Sequence, residues 1–161
     1  MKEIYYIKAE DKIMIKFMKE ALIEAERALL LKEVPVGVVI VKDNKIIART
    51  HNLKETLMDP TAHAEVLAVR EACSKIGNWR LTGCDMYVTL EPCAMCASTI
   101  AQARISNLYI GTFDPTAGAC GSVVDVISNE YLKYKVGVKW LYDEECSNIL
   151  KSFFKSRRQE S

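Results

Sequence analysis

Two short fragments of the chain combine residue types that bind soft divalent metals. TAHAE places His63 two positions before Glu65, and EPCAMC places Cys93 and Cys96 three positions apart. If both cysteines open a helix, their sulfurs lie on one face, one turn apart. There the free N–H groups and the helix dipole favour thiolates, which a soft divalent ion prefers as ligands. The cysteine pair therefore indicates part of a metal site.

His63 is the obvious candidate for the next ligand of this pair. Two thiolates and one imidazole make a zinc site with three protein ligands and a fourth position for water, which is the catalytic arrangement. A structural zinc site is instead closed by a fourth protein ligand. The sequence therefore predicts one Zn²⁺ bound by His63, Cys93 and Cys96.

Glu65 is the residue type that a hydrolytic zinc site needs besides its ligands. It lies on the opposite side of a helix from His63, but in the first helical turn its carboxylate can reach back. Zinc lowers the pKa of a bound water toward about 7. A neighbouring carboxylate can take that proton and pass it to a leaving group. We therefore predict that Glu65 is the catalytic proton carrier.

Each fragment also has a simpler interpretation. A lone C-x-x-C occurs in thioredoxin-like redox pairs and in structural zinc ribbons. This chain lacks the Trp-Cys-Gly-Pro-Cys-like sequence of the redox pairs and the second C-x-x-C of the zinc ribbons. A lone His-x-Glu is usually an ordinary surface pair, so only the combination is specific. His51 is interpreted as a loop or strand-end residue. The other cysteines are interpreted as buried small hydrophobes: Cys73, Cys84, Cys120 and Cys146.

Helices that alternate with strands must position these residues. Apolar periodicity predicts helices over about 10–32, 62–76, 93–103 and 143–158. Thr61 is the predicted N-cap of the second helix, and Pro92 lies at or near the first turn of the third. The predicted strands are VGVVIV, KIIART, MYVTL, NLYIGTF and VGVKWLY, the first two forming a hairpin at Asp43-Asn44. This order predicts the α/β class: a three-layer α/β/α sandwich around a mixed sheet of about five strands.

Length, charge and hydropathy restrict the number of domains, the binding partners and the location of the protein. The 161 residues fit one domain, 1–161, with 1–11 as a peripheral extension and 143–161 as a basic C-terminal helix. The formal net charge of +1 argues against a general nucleic-acid coat protein. No apolar run approaches the roughly 20 residues that span a bilayer, and the N-terminus is too polar for a secretion signal. We therefore expect a cytoplasmic protein that does not bind membranes.

H-x-E followed by P-C-x-x-C resembles the signature of the zinc-dependent nucleobase deaminases. Histidine as the first ligand points away from the free cytidine deaminases. The whole chain is similar to the bacterial-type tRNA adenosine deaminases, from the first helix to the last. The segments that carry this resemblance are VPVG, DPTAHAE, NWRL, YVTLEPCAMC, ARI, GACGS and FFKSRRQE.

The resemblance implies a cytidine-deaminase-like fold and hydrolysis of the wobble adenosine of an arginine tRNA to inosine, with release of ammonia. It assigns Asn52 to contact with the flipped base and Asp114 to contact with the ribose region of the anticodon loop. It also implies a homodimer with one zinc per subunit, a tRNA anticodon stem-loop as partner, and no DNA substrate. Thr116 departs from the family, which often has lysine there, so one phosphate contact is in question.

The C-terminal segment has a composition that suits RNA. Phe154 can stack on bases, while Arg157 and Arg158 can meet phosphates. Terminal helices also end in cations because of the helix dipole, so the physics alone leaves both readings open. The resemblance favours RNA.

Two other functions remain open at this point. A free-base or nucleotide deaminase of the guanine or cytosine type has the same HAE and PCxxC motifs, but it needs no phosphate-binding tail. A zinc-dependent RNA-binding or scaffold protein without turnover would have no need of the carboxylate of Glu65.

Overall fold

The computed structural model describes residues 8–160. Most of the predicted extension 1–11 therefore lies outside the described residues, and its last part belongs to the first helix. The helices are α1 (Ala9–Leu30), α2 (Ala64–Ile76), α3 (Ala94–Gln102) and α4 (Glu144–Glu160). The strands are β1 (Gly37–Lys42), β2 (Lys45–His51), β3 (Cys84–Leu90), β4 (Asn107–Thr112) and β5 (Gly137–Trp140).

The five strands form one mixed sheet in the order β2-β1-β3-β4-β5. β1 pairs antiparallel with β2 and β3, whereas β3, β4 and β5 run parallel. The predicted hairpin is confirmed, because Asp43 and Asn44 both have positive φ, at 49° and 58°. Such a two-residue turn matches the twist of the strands that it joins.

Successive residues of the central strands are buried on opposite faces of the sheet. Helices cover both faces, which produces the three predicted layers. Val38 and Ile40 belong to the core beneath α2 and α3. Val39 and Val41 belong to the second core, which α1 covers with Phe17 and to which α4 contributes Cys146. The period of two in a strand therefore fixes which helices cover which face.

The prediction of Thr61 as a helix N-cap is wrong. α2 begins at Ala64, and His63 occupies the N-cap position in an extended conformation. The amide and the hydroxyl of Thr61 both donate to Oδ1 of Asp59, at 2.8 and 2.7 Å. The hydroxyl therefore closes a turn before the helix. α3 likewise begins one residue later than predicted, with Cys93 as its N-cap and Pro92 before it.

Within residues 8–160, none of the helices combines the length and the apolar character needed to cross a membrane.

Candidate metal centre

His63 and Cys93 occupy equivalent positions at the starts of two neighbouring helices. Each is an N-cap residue whose carbonyl accepts a helical hydrogen bond, from Leu67 at 3.0 Å and from Ala97 at 2.8 Å. The hydroxyl of Thr50, near the end of β2, donates to the carbonyl of Ala64 at 2.7 Å. This bond holds the start of α2 against the sheet. It therefore fixes the main-chain position from which the His63 side chain extends.

The two helix starts bring one nitrogen and two sulfurs together. Nδ1 of His63 lies 3.7 Å from Sγ of Cys93 and 3.5 Å from Sγ of Cys96. The three ligand atoms all lie within 4.8 Å of one another. The residues predicted as ligands, although 30 positions apart in the chain, therefore form one cluster.

This donor set suits zinc in both chemistry and spacing. A tetrahedral ion with Zn–S bonds of about 2.3 Å and a Zn–N bond of about 2.0 Å separates its nitrogen and sulfur ligands by about 3.5 Å. The two nitrogen–sulfur distances agree with that separation. Imidazole and thiolate are also ligands that suit zinc, whereas harder ions such as Mg²⁺ and Ca²⁺ prefer oxygen ligands. Three protein ligands leave a fourth position for water.

The three side chains of the cluster shift one another's pKa values. The thiol of Cys96 donates to the sulfur of Cys93 and, with His63, holds the pKa of Cys93 at about 4. The same bond and burial raise the pKa of Cys96. The bond to Cys93 raises the pKa of His63. The pKa of Cys93 is thus lowered chiefly by the hydrogen bond from Cys96.

Glu65 lies buried against this cluster, with 4% of its surface exposed. It lines the same cavity as His63 and Cys93, so its side chain faces the cluster from the first turn of α2. Burial raises the pKa of Glu65 to about 6. A carboxyl group with that pKa can both accept and donate a proton near neutral pH.

A cavity of about 210 Å³ opens onto the cluster and brings further predicted residues to it. Asn52 and Asp114 line it together with His63, Glu65 and Cys93. The amide nitrogen of Asn52 donates to the carbonyl of Val34 at 3.3 Å, and its oxygen accepts from the amide of Lys54 at 3.2 Å. Asn52 is therefore held rigidly on the cavity wall.

A larger groove of about 610 Å³ adjoins the cavity and shares Val34, Leu90 and Asp114 with it. Phe154 and Arg158, which the sequence analysis predicted as substrate contacts, line this groove.

Arg157 does not line this groove. It lies on another side of α4, where its guanidinium donates to the carbonyl of Lys32 at 2.8 Å. Successive helical residues point about 100° apart, so the two arginines serve different surfaces.

Several residues differ from their predicted roles or had none. Cys73 is only partly buried, unlike the other three cysteines outside the cluster, because it sits near the end of α2 where its thiol meets the carbonyl of Trp79.

His51 ends β2, as expected, and its Nδ1 lies 2.8 Å from a buried carboxylate oxygen of Glu24. The sequence analysis predicts no role for Glu91, yet this residue lines the cavity with 2% of its surface exposed. An acid directly after a buried strand and two residues before a ligand was its only signal.

Comparison with known proteins gives consistent matches. The model of the MafB19-like deaminase family matches residues 13–158. A tRNA-specific adenosine deaminase of Bacillus subtilis (strain 168) is 42% identical over 145 residues, which cover 89% of this chain and 90% of that protein. A solved structure from work on A-to-I editing by tRNA:A34 deaminases at the wobble position of transfer RNA has a TM-score of 0.82 and 45% identity, covering 84% of this chain and 99% of the other. A guanine deaminase of Bacillus subtilis has a TM-score of 0.59 and 38% identity, covering 66% of each chain.

Proposed function

The chain belongs to the tRNA-specific adenosine deaminases, a membership that its MafB19-like deaminase match supports. From that premise we propose that it hydrolyses the wobble adenosine in a tRNA anticodon loop to inosine. By family resemblance the substrate is an arginine tRNA. Water adds to the base carbon that bears the exocyclic amine, the carbon–nitrogen bond breaks, and ammonia leaves. One water is consumed for each ammonia released, so the reaction needs no further reactant.

In this proposal, the residues of the cluster and of the cavity wall have separate tasks. Nδ1 of His63 and the sulfurs of Cys93 and Cys96 would hold the zinc ion. When bound, zinc supplies Lewis acidity that makes water a nucleophile at neutral pH. The carboxylate of Glu65 takes a proton from the attacking water and returns it to the departing amine. Asn52 and Asp114 hold the base and its ribose in the cavity.

The observation that carries this proposal is the continuity of the cavity with the groove. Cavity and groove share three wall residues, so a base in the cavity can remain joined to a strand in the groove. Phe154 offers a stacking surface with 45% of its area exposed, and Arg158 and Lys151 offer positive charge. A free-base enzyme needs only the cavity.

We also propose a homodimer with one Zn²⁺ per subunit, acting in the cytoplasm where tRNA is modified. The apolar face of α3 already belongs to the protomer core, through Cys96, Ala97, Ile100 and Ala101. Any dimer contact must therefore use other surfaces. A DNA hairpin is expected to be a poor substrate because it lacks the 2′-hydroxyls that distinguish RNA.

The test is a substrate panel for the zinc-loaded protein. The panel contains an anticodon stem-loop with adenosine at the wobble position, the same hairpin with that adenosine moved to a neighbouring loop position, and free adenosine, guanine and cytosine. We expect inosine at the wobble position and one ammonia per adenosine converted. Deamination of guanine or cytosine with an untouched hairpin would instead favour the free-base alternative, to which the guanine deaminase similarity points.

A further inference from the structure

Glu91 is a buried carboxylate for which metal binding and proton transfer give no role. We propose that Glu91 is a positioning residue that binds the main chain of residues 114–122, here called the 114–122 loop, and so sets the cavity wall against which the base is held. The kinetic part of this inference rests on the proposed function. The hold on the loop can be measured without any turnover.

Both carboxylate oxygens of Glu91 accept hydrogen bonds from the main chain of this loop. Oε2 accepts from the amide of Asp114 at 2.9 Å. Oε1 accepts from the amides of Cys120 and Ser122, at 3.0 and 3.1 Å. Charge-assisted bonds of this kind are roughly twice as strong as neutral ones, and they offset the cost of burying a carboxylate. Glu91 therefore fastens the loop at both of its ends.

The loop packs closely around this carboxylate. A Cβ added at Gly118 would overlap Oε2 of Glu91 and would press on the carbonyl of Asp114. The amide of Ala119 donates to the carbonyl of Pro92 at 2.9 Å, a second tie between the loop and the same segment. Gly118 is thus required for space, because no side chain fits between loop and carboxylate.

The position of Glu91 in the chain connects the two halves of the site. It lies two residues before Cys93, which starts α3 and belongs to the ligand cluster. The loop that it holds supplies Asp114 and Ala117 to the wall of the cavity that the cluster also lines. One side chain therefore sets the distance between the ligand segment and the wall that faces the substrate.

Glu91→Gln tests this role with almost no change in shape. A glutamine has one acceptor oxygen, so its NH₂ group must face an N–H that Glu91 accepted. We expect faster hydrogen exchange at the amides of Asp114, Cys120 and Ser122, with zinc content unchanged. With the hairpin as substrate we expect KM to rise about ten-fold, as for the loss of one strong hydrogen bond, and kcat to change much less.

A second variant disturbs the same contact from the other side. Gly118→Ala leaves Glu91 intact but displaces its carboxylate, so it should reproduce the rise in KM and in amide exchange. Gly137→Ala is the matched control. Its new Cβ meets the side chain of Asn107 and the carbonyl of Ser106, and these residues line neither the cavity nor the groove. Ile40→Val controls for general destabilisation, because it removes one buried methylene from the core beneath α2 and α3. It should lower Tm by a few degrees and leave KM unchanged.

Two results overturn the inference. One is a Glu91→Gln variant with wild-type exchange at the three amides and wild-type KM. The other is faster exchange throughout the chain with a lower Tm and unchanged KM, which means that Glu91 only stabilises the fold. If the wild-type protein leaves the hairpin untouched, the proposed function fails, while the exchange pattern still decides whether Glu91 holds the loop.

Discussion

The site has two ends, the cavity with its ligand cluster and the adjoining groove, and they are built in different ways. At the ligand end, His63 and Cys93 are N-cap residues of neighbouring helices, and Glu65 follows within the first turn of α2. These side chains are placed by helical main-chain bonds and are partly or fully buried. At the groove end, Phe154 and Arg158 extend from the last turns of α4, and both are exposed.

The difference follows from what each end must do. Chemistry on a carbon–nitrogen bond requires atoms held within fractions of an ångström, which buried helix starts provide. A flexible strand of RNA requires stacking surface and charge that it can reach from solvent. Changes at the ligand end should therefore remove turnover, and changes at the groove end should weaken binding. The following predictions rank from the largest expected effect to the smallest.

Removing a ligand should have the largest effect. Cys93→Ala takes away the cysteine whose thiolate forms most readily, so zinc affinity should fall by more than the 10- to 100-fold typical of losing an outer-shell partner. Metal analysis of the purified protein measures this directly, and deaminase activity should disappear with the metal. Cys73→Ala is the control, because that thiol lies outside the cluster near the end of α2. Full zinc content in Cys93→Ala would show that the ligand assignment is wrong.

Removing the proposed proton carrier, Glu65, should leave the metal in place. Glu65→Gln preserves the size of the side chain, and kcat should fall by about 10²- to 10⁴-fold, the usual contribution of a positioned acid–base group. Zinc content and KM should stay near the wild-type values. Glu71→Gln changes an exposed glutamate of the same helix and should leave kcat unchanged. A Glu65→Gln enzyme that works at a rate close to wild type would remove Glu65 from the mechanism.

At the groove end, loss of the stacking surface should act on binding alone. Phe154→Ala should raise KM for the hairpin by roughly 5- to 150-fold, which corresponds to about 1–3 kcal/mol for one stacked base. Because Phe154 lies outside the cavity, kcat should change little. Tyr131→Ala is the comparison variant, since Tyr131 is an 86% exposed aromatic residue that does not line the groove. Equal KM values for the two variants would mean that Phe154 contacts no base.

The two neighbouring arginines should differ in their dependence on salt. Arg158→Ala removes a charge from the groove, so the slope of log affinity against log salt should become shallower by about 0.7, the value for one phosphate of a single strand. Arg157→Ala removes a bond to the carbonyl of Lys32 and should lower Tm without changing that slope. Titrations of the labelled hairpin at several salt concentrations distinguish them. If Arg157→Ala flattens the slope instead, the RNA strand runs on the other side of α4.

The sequence predicted that His63, Cys93 and Cys96 come together, because the information for this cluster is local. Each ligand sits at or near a helix start, and a short motif specifies the residue types and, to within two residues, the place where the helix begins. The alternation of helices and strands also predicted the mixed sheet, including the hairpin at Asp43 and Asn44. Even so, Thr61 was misplaced as an N-cap, because its hydroxyl had a competing acceptor in Asp59 that the helix pattern does not reveal.

The rest depended on contacts between distant parts of the chain. Neighbouring arginines on a helix are equivalent in sequence, and only the packing of α4 against the segment after α1 separates Arg157 from Arg158. Glu91 was missed because its three donors lie 23 to 31 residues further along the chain, in a loop without periodicity. Buried carboxylates that hold loops through main-chain amides leave almost no local pattern.

The central claim is that one cavity joins adenine chemistry to RNA binding. Its most direct test is the ratio of kcat/KM for the wobble-adenosine hairpin to kcat/KM for free adenosine, measured with the zinc-loaded protein. If the groove contributes binding as described, the ratio should be at least about 10³, which corresponds to roughly 4 kcal/mol. A ratio near one, or faster turnover of guanine than of the hairpin, would contradict the account.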